Sequence, residues 1–313
     1  MKLNQINQIM GKFINPFTDE GFKRIFGQEI HKDLLISFLN ELIHGDNPIV
    51  DIVFRDKEIF PQFFDGRRII YDIYCTTENG EHVIVEMQNA AQPFFKDRSI
   101  FYAASAIAQQ GERGKDWNFD VKRVYGIFFL NFYMDGLKDW SLCSEVSLHF
   151  KGTTEQFSDK LHLYYITLPK MEKSESECET DFERWIYILK HMETLERMPF
   201  KAQNIIFGRL EEVCNLNSLS RQERLNYDES LKVYRDGVAV VEYAVQRGRK
   251  EGLKEGLKEG LEKGMEKGME KGIEKGRTET LATNIRTMRD AGLDASTIAR
   301  YLALTPDEVA KYF

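Results

Sequence analysis

Residues 68–88 read RIIYDIYCTTENGEHVIVEMQ, and this segment decides the fold of the chain. Its two halves are short runs rich in isoleucine, valine and tyrosine, which is typical of β-strands. Glu78, Asn79 and Gly80 stand between the runs and strongly indicate a β-hairpin. We therefore predict two antiparallel strands that are joined by a tight turn.

The length of the turn sets the register of this hairpin, because a slip of one residue sends every side chain to the opposite face. A two-residue turn would place Asp72 and Glu86 on opposite faces. A three-residue loop, with Gly80 in the left-handed conformation of a bulge, pairs Thr77 with Glu81 and places Asp72 directly opposite Glu86. We predict the three-residue loop.

In that register the Cβ atoms of Asp72 and Glu86 lie about 5 Å apart, so the two carboxylates can hold one hard cation. Burying two acids in an apolar strand is costly unless a cation compensates. The alternative is that Glu86 faces solvent and that Asp72 lies in water at a strand edge or pairs with an arginine. The candidate arginines are Arg67, Arg68 and Arg98.

The alternation of residues in the second strand predicts two different faces. Ile84, Glu86 and Gln88 share one face, where the Gln88 amide can orient a water molecule. The other face is formed by Val83, Val85 and Met87. We expect this second face to be directed toward the core.

Segments on both sides of the hairpin mix helices and strands. Residues 15–43 predict two helices, with Thr18 as N-cap and Gly27 at the break. The segment after Pro93 predicts a helix, and residues 182–216 are again helical in pattern. Strands are predicted at 49–54, 122–132, 145–150 and 161–168. The fold class is therefore α/β or α+β, a mixed sheet flanked by helices.

Composition narrows the class of protein. The chain has 313 residues, 42% hydrophobic and 30% charged, which is enough to bury a core. Four dispersed cysteines and six histidines without ligand spacing predict neither a disulfide framework nor a zinc site. The start has no apolar stretch typical of a signal peptide, and no long apolar run follows, so we expect a cytoplasmic protein without membrane contact.

The net charge of −7 would repel a polyanion. Local charge counters this, because basic residues cluster beside the candidate site between residues 96 and 123. The cluster comprises Lys96, Arg98, Arg113, Lys115, Lys122 and Arg123. Nucleic acid therefore remains a candidate partner, without tight nonspecific binding.

Residues 248–276 have a glycine at every fourth position, and leucine, methionine or isoleucine follows at the same interval. On a helix both series form slowly rotating stripes. Eight glycines, each costing about 1 kcal/mol against alanine, leave a lone helix marginal. We expect a helix that self-associates with a second copy, and the alternative is a flexible charged linker.

The end of the chain predicts two or three small helices that resemble a helix-turn-helix. Gly292 ends one helix, and Thr305 caps another that starts with Pro306. Asp307 and Glu308 stand where a DNA-reading helix would offer basic or amide side chains. We therefore favour a protein contact for this terminus.

Several of these segments together resemble the Rpn family of recombination-promoting nucleases and related transposases. They are NPFTDEGFKRIFG, YDIY…HVIVEMQ, DRSIFYAASAIAQQ and the glycine-tetrad tail. The family belongs to the PD-(D/E)xK nuclease superfamily, and the resemblance extends to about residue 276. It implies a restriction-endonuclease-like core with a helical C-terminal extension.

The resemblance also implies the chemistry. Asp72 and Glu86 bind Mg²⁺, or Mn²⁺ or Ca²⁺ in its place, with the Met87 backbone carbonyl as a further ligand. Gln88 stands where the superfamily usually has lysine, and it can position a water molecule but cannot act as a base. The family that this sequence resembles itself uses glutamine, so activity is compatible with it. Tyr71 replaces the proline of the superfamily pattern, which is not a ligand.

Four further residues have two interpretations each. Asp19 is a candidate outer metal ligand or an ordinary first-turn helix acid. Lys23 contacts phosphate or is solvated. Arg98 and Tyr102, one helical turn apart, contact the DNA backbone, or else Arg98 pairs with Glu86 and Tyr102 belongs to the core.

We predict a nuclease-like core over residues 10–170 and a helical region over 171–246. A glycine-tetrad helix or linker follows over 247–277, and a small helical terminus over 278–313. The expected function is a Mg²⁺-dependent DNA endonuclease of recombination or mobile-element biology. The alternatives are a non-catalytic interaction protein that assembles through its tail, and the same chemistry directed at RNA.

Overall fold

The computed structural model describes residues 11–45, 47–59, 69–111, 118–134 and 141–312. Arg67, Arg68, Arg113 and Lys115, which the sequence offers as candidates, lie outside the described residues. The chain divides into two compact units, residues 1–239 and 240–313. Within the described residues, no helix has both the length and the apolar character needed to cross a membrane.

The first unit is built around a six-stranded mixed sheet of order β1-β4-β5-β6-β8-β7. Its inner pairs β5·β6 and β6·β8 are parallel, and the outer pairs are antiparallel. A separate ribbon pairs β2 with β3. The strands are β1 (Ile52–Phe54), β2 (Glu58–Ile59), β3 (Ile69–Ile70), β4 (Ile73–Thr77), β5 (His82–Gln88), β6 (Val124–Leu130), β7 (Cys143–His149) and β8 (Gln156–Thr167). The predicted mixed sheet flanked by helices is confirmed.

Helices occupy more of the chain than strands do. They are α1 (Asp19–Phe26), α2 (Lys32–Leu42), α3 (Phe95–Ala108), α4 (Asp181–His191), α5 (Ile206–Cys214), α6 (Arg221–Asp290), α7 (Ala295–Leu302) and α8 (Pro306–Ala310). Thr18 caps α1, since its hydroxyl accepts the Gly21 N–H at 2.9 Å. Gly27 ends that helix, as the sequence predicts.

Both faces of the central strands β5 and β6 are largely buried. On one face Val83 and Val85 pack with side chains of α1, α2, α4 and α5 in the larger core. On the other face Ile84 packs with Phe95 and Ala103 of α3 in a second core. The expectation that the face of Val83 and Val85 is directed toward the core is confirmed. The face of Ile84 is buried as well, because α3 covers it.

The hairpin has the predicted three-residue loop. Ile73 lies opposite Val85, and the Thr77 N–H donates to the Glu81 carbonyl at 2.9 Å. Gly80 has φ of +79°, the left-handed conformation that favours glycine. This register is the one that brings the two acids together.

The first strand of the hairpin differs from the prediction in one respect. The run at 68–76 is not continuous, because β3 pairs with β2 outside the main sheet and β4 begins only at Ile73. The chain bends at Asp72 between them. Tyr71 is fully buried in the core beneath α3, and this anchors the bend.

The start of α6 packs on the N-terminal segment of the first unit. The Asn15 N–H donates to the Tyr227 hydroxyl at 2.8 Å, and Arg24 pairs with Glu223 at 2.5 Å. Tyr234 stacks near Phe17, with 6.4 Å between ring centroids. This part of α6 therefore belongs structurally to the domain that carries the sheet.

The second unit contains the rest of α6 followed by α7 and α8. A small core of Ile285, Ile298 and Val309 joins the end of α6 to the two short helices. Gly292, with φ of +90°, follows the end of α6, and Thr305 caps α8 as predicted. The first predicted small helix is thus the C-terminal end of α6.

Candidate active site

The candidate site lies at the carboxyl end of β5, on the face that α3 covers. β5 runs parallel to β6, and the Asn131 N–H donates to the Gln88 carbonyl at 2.9 Å where both strands end. In sheets with parallel strands, ligands bind outside these carboxyl ends. Glu86 and Gln88 share the face of Ile84, so both side chains lie at this edge.

Asp72 and Glu86 are connected by reciprocal hydrogen bonds. The Asp72 N–H donates to Glu86 Oε1 at 3.0 Å. The Met87 N–H donates to Asp72 Oδ2 at 2.9 Å. Each carboxylate therefore accepts a backbone N–H from the other strand, and this fixes the two acids side by side.

Burial changes the acidity of both groups. The Glu86 residue is 4% exposed. Burial is the larger cause that raises the pKa of its carboxyl, and the charge of Asp72 is the second. Burial also raises the pKa of Asp72, with a further contribution from Asp19, although the Met87 N–H opposes the shift. A like-charged buried pair needs a shared proton or a cation. The sequence alternative of a solvent-facing Glu86 is wrong.

Gln88 connects the acids to α3. Its Nε2 donates to Glu86 Oε2 at 3.2 Å, and its Oε1 accepts from Arg98 Nη2 at 2.5 Å. Arg98 also donates through Nη1 to Gln92 Oε1 at 2.6 Å. Arg98 therefore reaches the site through Gln88 and forms no direct hydrogen bond to Glu86 among the contacts that the structure describes.

Tyr102 lies behind the site. Its backbone carbonyl accepts the Tyr71 hydroxyl at 2.9 Å, and the two rings meet edge to face at 5.3 Å between centroids. The ring packs partly buried against the core beneath α3. These contacts support the interpretation of Tyr102 as a core residue, and its DNA contact stays a prediction.

Asp19 and Lys23 lie on α1 near the acidic pair. They form an ion pair at 2.6 Å, and the Asp19 side chain is 64% exposed. Its charge raises the pKa of Asp72, which places it in electrostatic reach of the site. In the part of the chain that the structure describes, no three acidic, histidine or cysteine side chains cluster as a metal site. Asp19 therefore stands apart from the pair in this conformation.

A groove of about 310 Å³ has Asp72 and Asp56 among its lining residues. Lys23, Arg55 and Lys57 line it, together with the residues at the start of β4. Lys23 and Lys57 lower the pKa of Asp72, so their charges act at the carboxylate. This arrangement suits an anionic backbone that leads to the acidic pair.

The donor set fits a hard divalent cation. The two carboxylates offer oxygen atoms, the ligands that Mg²⁺, Mn²⁺ and Ca²⁺ prefer. The described contacts leave Asp72 Oδ1 without a hydrogen bond, so one carboxylate oxygen is available. A cation between the acids would also offset the cost of burying them.

A mixed sheet flanked by helices, with an acid at the bend before one hairpin strand and E-x-Q at the end of the next, defines the class of PD-(D/E)XK nuclease folds. Residues 16–244 match the model of the family described as PD-(D/E)XK nuclease family transposase. The match covers more than half of the chain, which therefore belongs to this family, in agreement with its resemblance to the Rpn proteins. Searches of curated proteins and of solved structures gave no match.

Three residues of the site escaped the sequence analysis. Arg55 and Lys57 lie between short strands, and no periodicity ties them to Asp72. Gln92 holds Arg98 from the loop before α3. The i, i+4 spacing of Arg98 and Tyr102 pointed to α3, but the contact between Arg98 and Gln88 depends on how α3 packs on the sheet.

Proposed function

We propose that this protein is a divalent-metal-dependent DNA endonuclease that hydrolyses phosphodiester bonds. The observation that carries the proposal is the pairing of buried Glu86 with half-buried Asp72 at the carboxyl end of β5. Two acids fixed opposite each other beneath a helix are costly to bury without a cation. Lys23, Arg55 and Lys57 line a groove together with Asp72, which supports a functional explanation for this cost.

In this proposal Asp72 and Glu86 hold the cation, with the Met87 backbone carbonyl as a further ligand. Mg²⁺ is the expected ion, and Mn²⁺ or Ca²⁺ would occupy the same ligands. When bound, such an ion lowers the pKa of a water molecule and neutralises charge that develops on phosphate. Asp19 joins as an outer ligand if its ion pair with Lys23 opens.

The chain's own residues position the substrate. Lys23, Arg55 and Lys57 bind backbone phosphates along the groove that Asp72 also lines. Gln88 offers the second hydrogen of its amide nitrogen to the attacking water, since the first is donated to Glu86. Arg98 and Tyr102 flank the site from α3.

DNA is the proposed substrate, because the chain belongs to a family of nuclease-type transposases. This membership supports a role in recombination or in the movement of genetic elements. The test is incubation of the purified full chain with supercoiled plasmid, linear duplex, single-stranded DNA and RNA, each with Mg²⁺, Mn²⁺, Ca²⁺ or EDTA. We expect metal-dependent cleavage of DNA, and cleavage of RNA alone would contradict the substrate assignment.

We also propose that the protein self-associates through α6. The apolar stripe, defined by Leu253, Leu257, Leu261, Met265, Met269 and Ile273, is 61–75% exposed. The glycines at 248–276 have open space where a Cβ would stand. This exposed stripe supports a partner helix, and a second copy supplies one. It is also the observation that favours an interaction protein if the acidic pair proves inactive.

The charges of this segment support an antiparallel copy. Each tetrad starts at its glycine. The third residue of the tetrad is lysine at 250, 254 and 258, and glutamate at 262, 266, 270 and 274. In an antiparallel pair, a flanking stripe meets the same stripe of its partner in reverse order. Lys254 would then face Glu266 of the second copy, and Lys258 would face Glu262. In a parallel pair, the change from lysine to glutamate at the third positions near Gly260 would create no additional ion pairs.

A further inference from the structure

Gln88 has two chemically different ends, and its neighbours determine which end faces the acidic pair. Its amide oxygen is held by Arg98 at 2.5 Å, and its amide nitrogen contacts Glu86 at 3.2 Å. In the flipped orientation the nitrogen would face the guanidinium, donor against donor. The oxygen would then face the carboxylate, acceptor against acceptor. Arg98 and Glu86 together therefore permit one orientation.

Arg98 is itself held in place. Its other terminal nitrogen donates to Gln92 at 2.6 Å. The guanidinium lies 5.2 Å from the ring centroid of Phe95 and 5.9 Å from that of Tyr102. Two hydrogen bonds and two aromatic contacts leave this side chain little rotational freedom.

The charge of Arg98 matters as much as its shape. Glu86 is a buried acid, Asp72 beside it is a half-buried one, and Gln88 is neutral, so Gln88 itself contributes no positive charge to the site. The guanidinium contributes that charge from behind Gln88, on the side of Glu86. Lys23 and Lys57 act instead on Asp72, from the other side of the pair.

We propose that Arg98 is a positioning residue for Gln88 and supplies the positive charge next to Glu86 that Gln88 cannot carry. This inference rests on the proposed nuclease function. Arg98 holds the amide oxygen, so that the amide N–H groups of Gln88 face the carboxylates and the attacking water. Arg98 and Gln88 thus form one unit, a neutral donor with a cation behind it.

The test is a cycle of four full-length variants. They are Arg98→Gln, Arg98→Lys, Gln88→Lys and the double variant Gln88→Lys/Arg98→Gln. Arg197→Ala is the matched control, because Arg197 is an exposed arginine whose ion pair with Glu175 lies in another part of the unit. Plasmid nicking, Mn²⁺ affinity by calorimetry and thermal unfolding are measured for each.

Nicking should fall about tenfold or more in Arg98→Gln, because an oriented donor and a nearby charge are both lost. Arg98→Lys keeps the charge without the two-pronged geometry and should lose less. Gln88→Lys alone places two cations together and should be poorly active. The double variant should regain activity over both single variants, and failure to regain it would overturn the charge assignment.

Mn²⁺ affinity separates this role from a merely structural one. Removing a cation beside the acids should leave the affinity of Arg98→Gln equal to the parent or tighter, although nicking falls. Gln88→Lys should weaken Mn²⁺ binding, and the double variant should return to the parent value. A parallel loss of affinity and activity in Arg98→Gln would show that Arg98 only supports the fold.

The cycle remains informative if the parent cleaves nothing, which would refute the proposed nuclease function by itself. The Mn²⁺ affinities and the unfolding temperatures then test Arg98 directly. The effects of Gln88→Lys and Arg98→Gln on the unfolding temperature of the metal-free protein should be non-additive, because each substitution changes the charge beside the other side chain. Additive effects of the two substitutions on both quantities would refute the coupling.

Discussion

At the scale of single residues, the protein concentrates its unusual chemistry in Asp72 and Glu86. Glu86 is buried near the end of β5, Asp72 is half-buried at the bend before β4, and each carboxylate accepts a backbone N–H from the other segment. Those N–H groups compensate part of the burial, but burial still raises both pKa values. The pair is therefore costly to the metal-free fold.

This cost predicts a pH-dependent gain in stability for Glu86→Gln. Since the pKa of Glu86 is raised in the fold, the folded chain binds more protons than the unfolded chain above pH 4.5. The parent should lose stability as pH rises from there toward the pKa of folded Glu86. In EDTA at pH 8, Glu86→Gln should be more stable by about 1 to 3 kcal/mol, because each tenfold change in proton affinity on folding corresponds to about 1.4 kcal/mol.

Chemical denaturation at pH 4 and pH 8 measures this difference. Near pH 4 the Glu86 carboxyl is protonated in the folded chain and largely protonated in the unfolded chain, so the gain should shrink or vanish. The exposed Glu229→Gln serves as the control and should change little at either pH. A Glu86→Gln variant that is less stable than the parent at pH 8 in EDTA would contradict the strain in the pair.

The sequence predicted the acidic pair and offered Arg98 as a candidate beside it, but it did not predict the contacts that surround the pair. Asp72, Glu86 and Gln88 follow from the alternation of the strand and the length of the loop, which are local properties. Arg98, Lys57 and Gln92 reach the site through the packing of α3 and the path of β2, and no spacing in the sequence encodes those contacts.

At the scale of elements, the hairpin β4–β5 determines whether the site exists. Its three-residue loop requires a left-handed residue, and Gly80 supplies it with φ of +79°. The sequence predicted this register from turn chemistry. It did not predict the break at Asp72, because residues typical of strands continue on both sides of this position.

We therefore expect Gly80→Ala to weaken metal binding, whereas the same substitution at Gly152 should not. The backbone strain should cost about 1 kcal/mol of folding free energy. Gly152→Ala, at φ of +84° and with open space around it, should cost a similar amount. Mn²⁺ affinity should fall in Gly80→Ala alone, because this loop aligns Asp72 with Glu86. Equal affinities in the two variants would argue against loop control of the site.

At the scale of the whole molecule, the tail distinguishes this protein from a lone nuclease domain. The described ion pairs of the tetrads include Lys258 with Glu262 and Lys263 with Glu259, where the charge order reverses. On either side of this reversal, residues four positions apart carry like charges, which destabilises an isolated helix. The sequence predicted the helix and its stripes, since both depend on local periodicity.

The antiparallel pairing predicts a charge-reversal experiment. The full chain should sediment as a dimer or larger assembly, and Lys254→Glu with Lys258→Glu should weaken it. Adding Glu262→Lys and Glu266→Lys should restore association, because the opposed stripes again carry opposite charges. In a parallel pair the fourfold variant would stay weakened, and unchanged association in every variant would refute pairing through these stripes.

The most direct measurement is nicking of supercoiled plasmid with Mg²⁺ and Mn²⁺ by the parent, Asp72→Asn and Glu86→Gln, each confirmed as folded by circular dichroism. We expect metal-dependent nicking by the parent that EDTA abolishes. Both variants should lose about a hundredfold or more of that activity, since each removes a ligand charge. Full activity in either variant would contradict the assignment of the acidic pair as the catalytic centre.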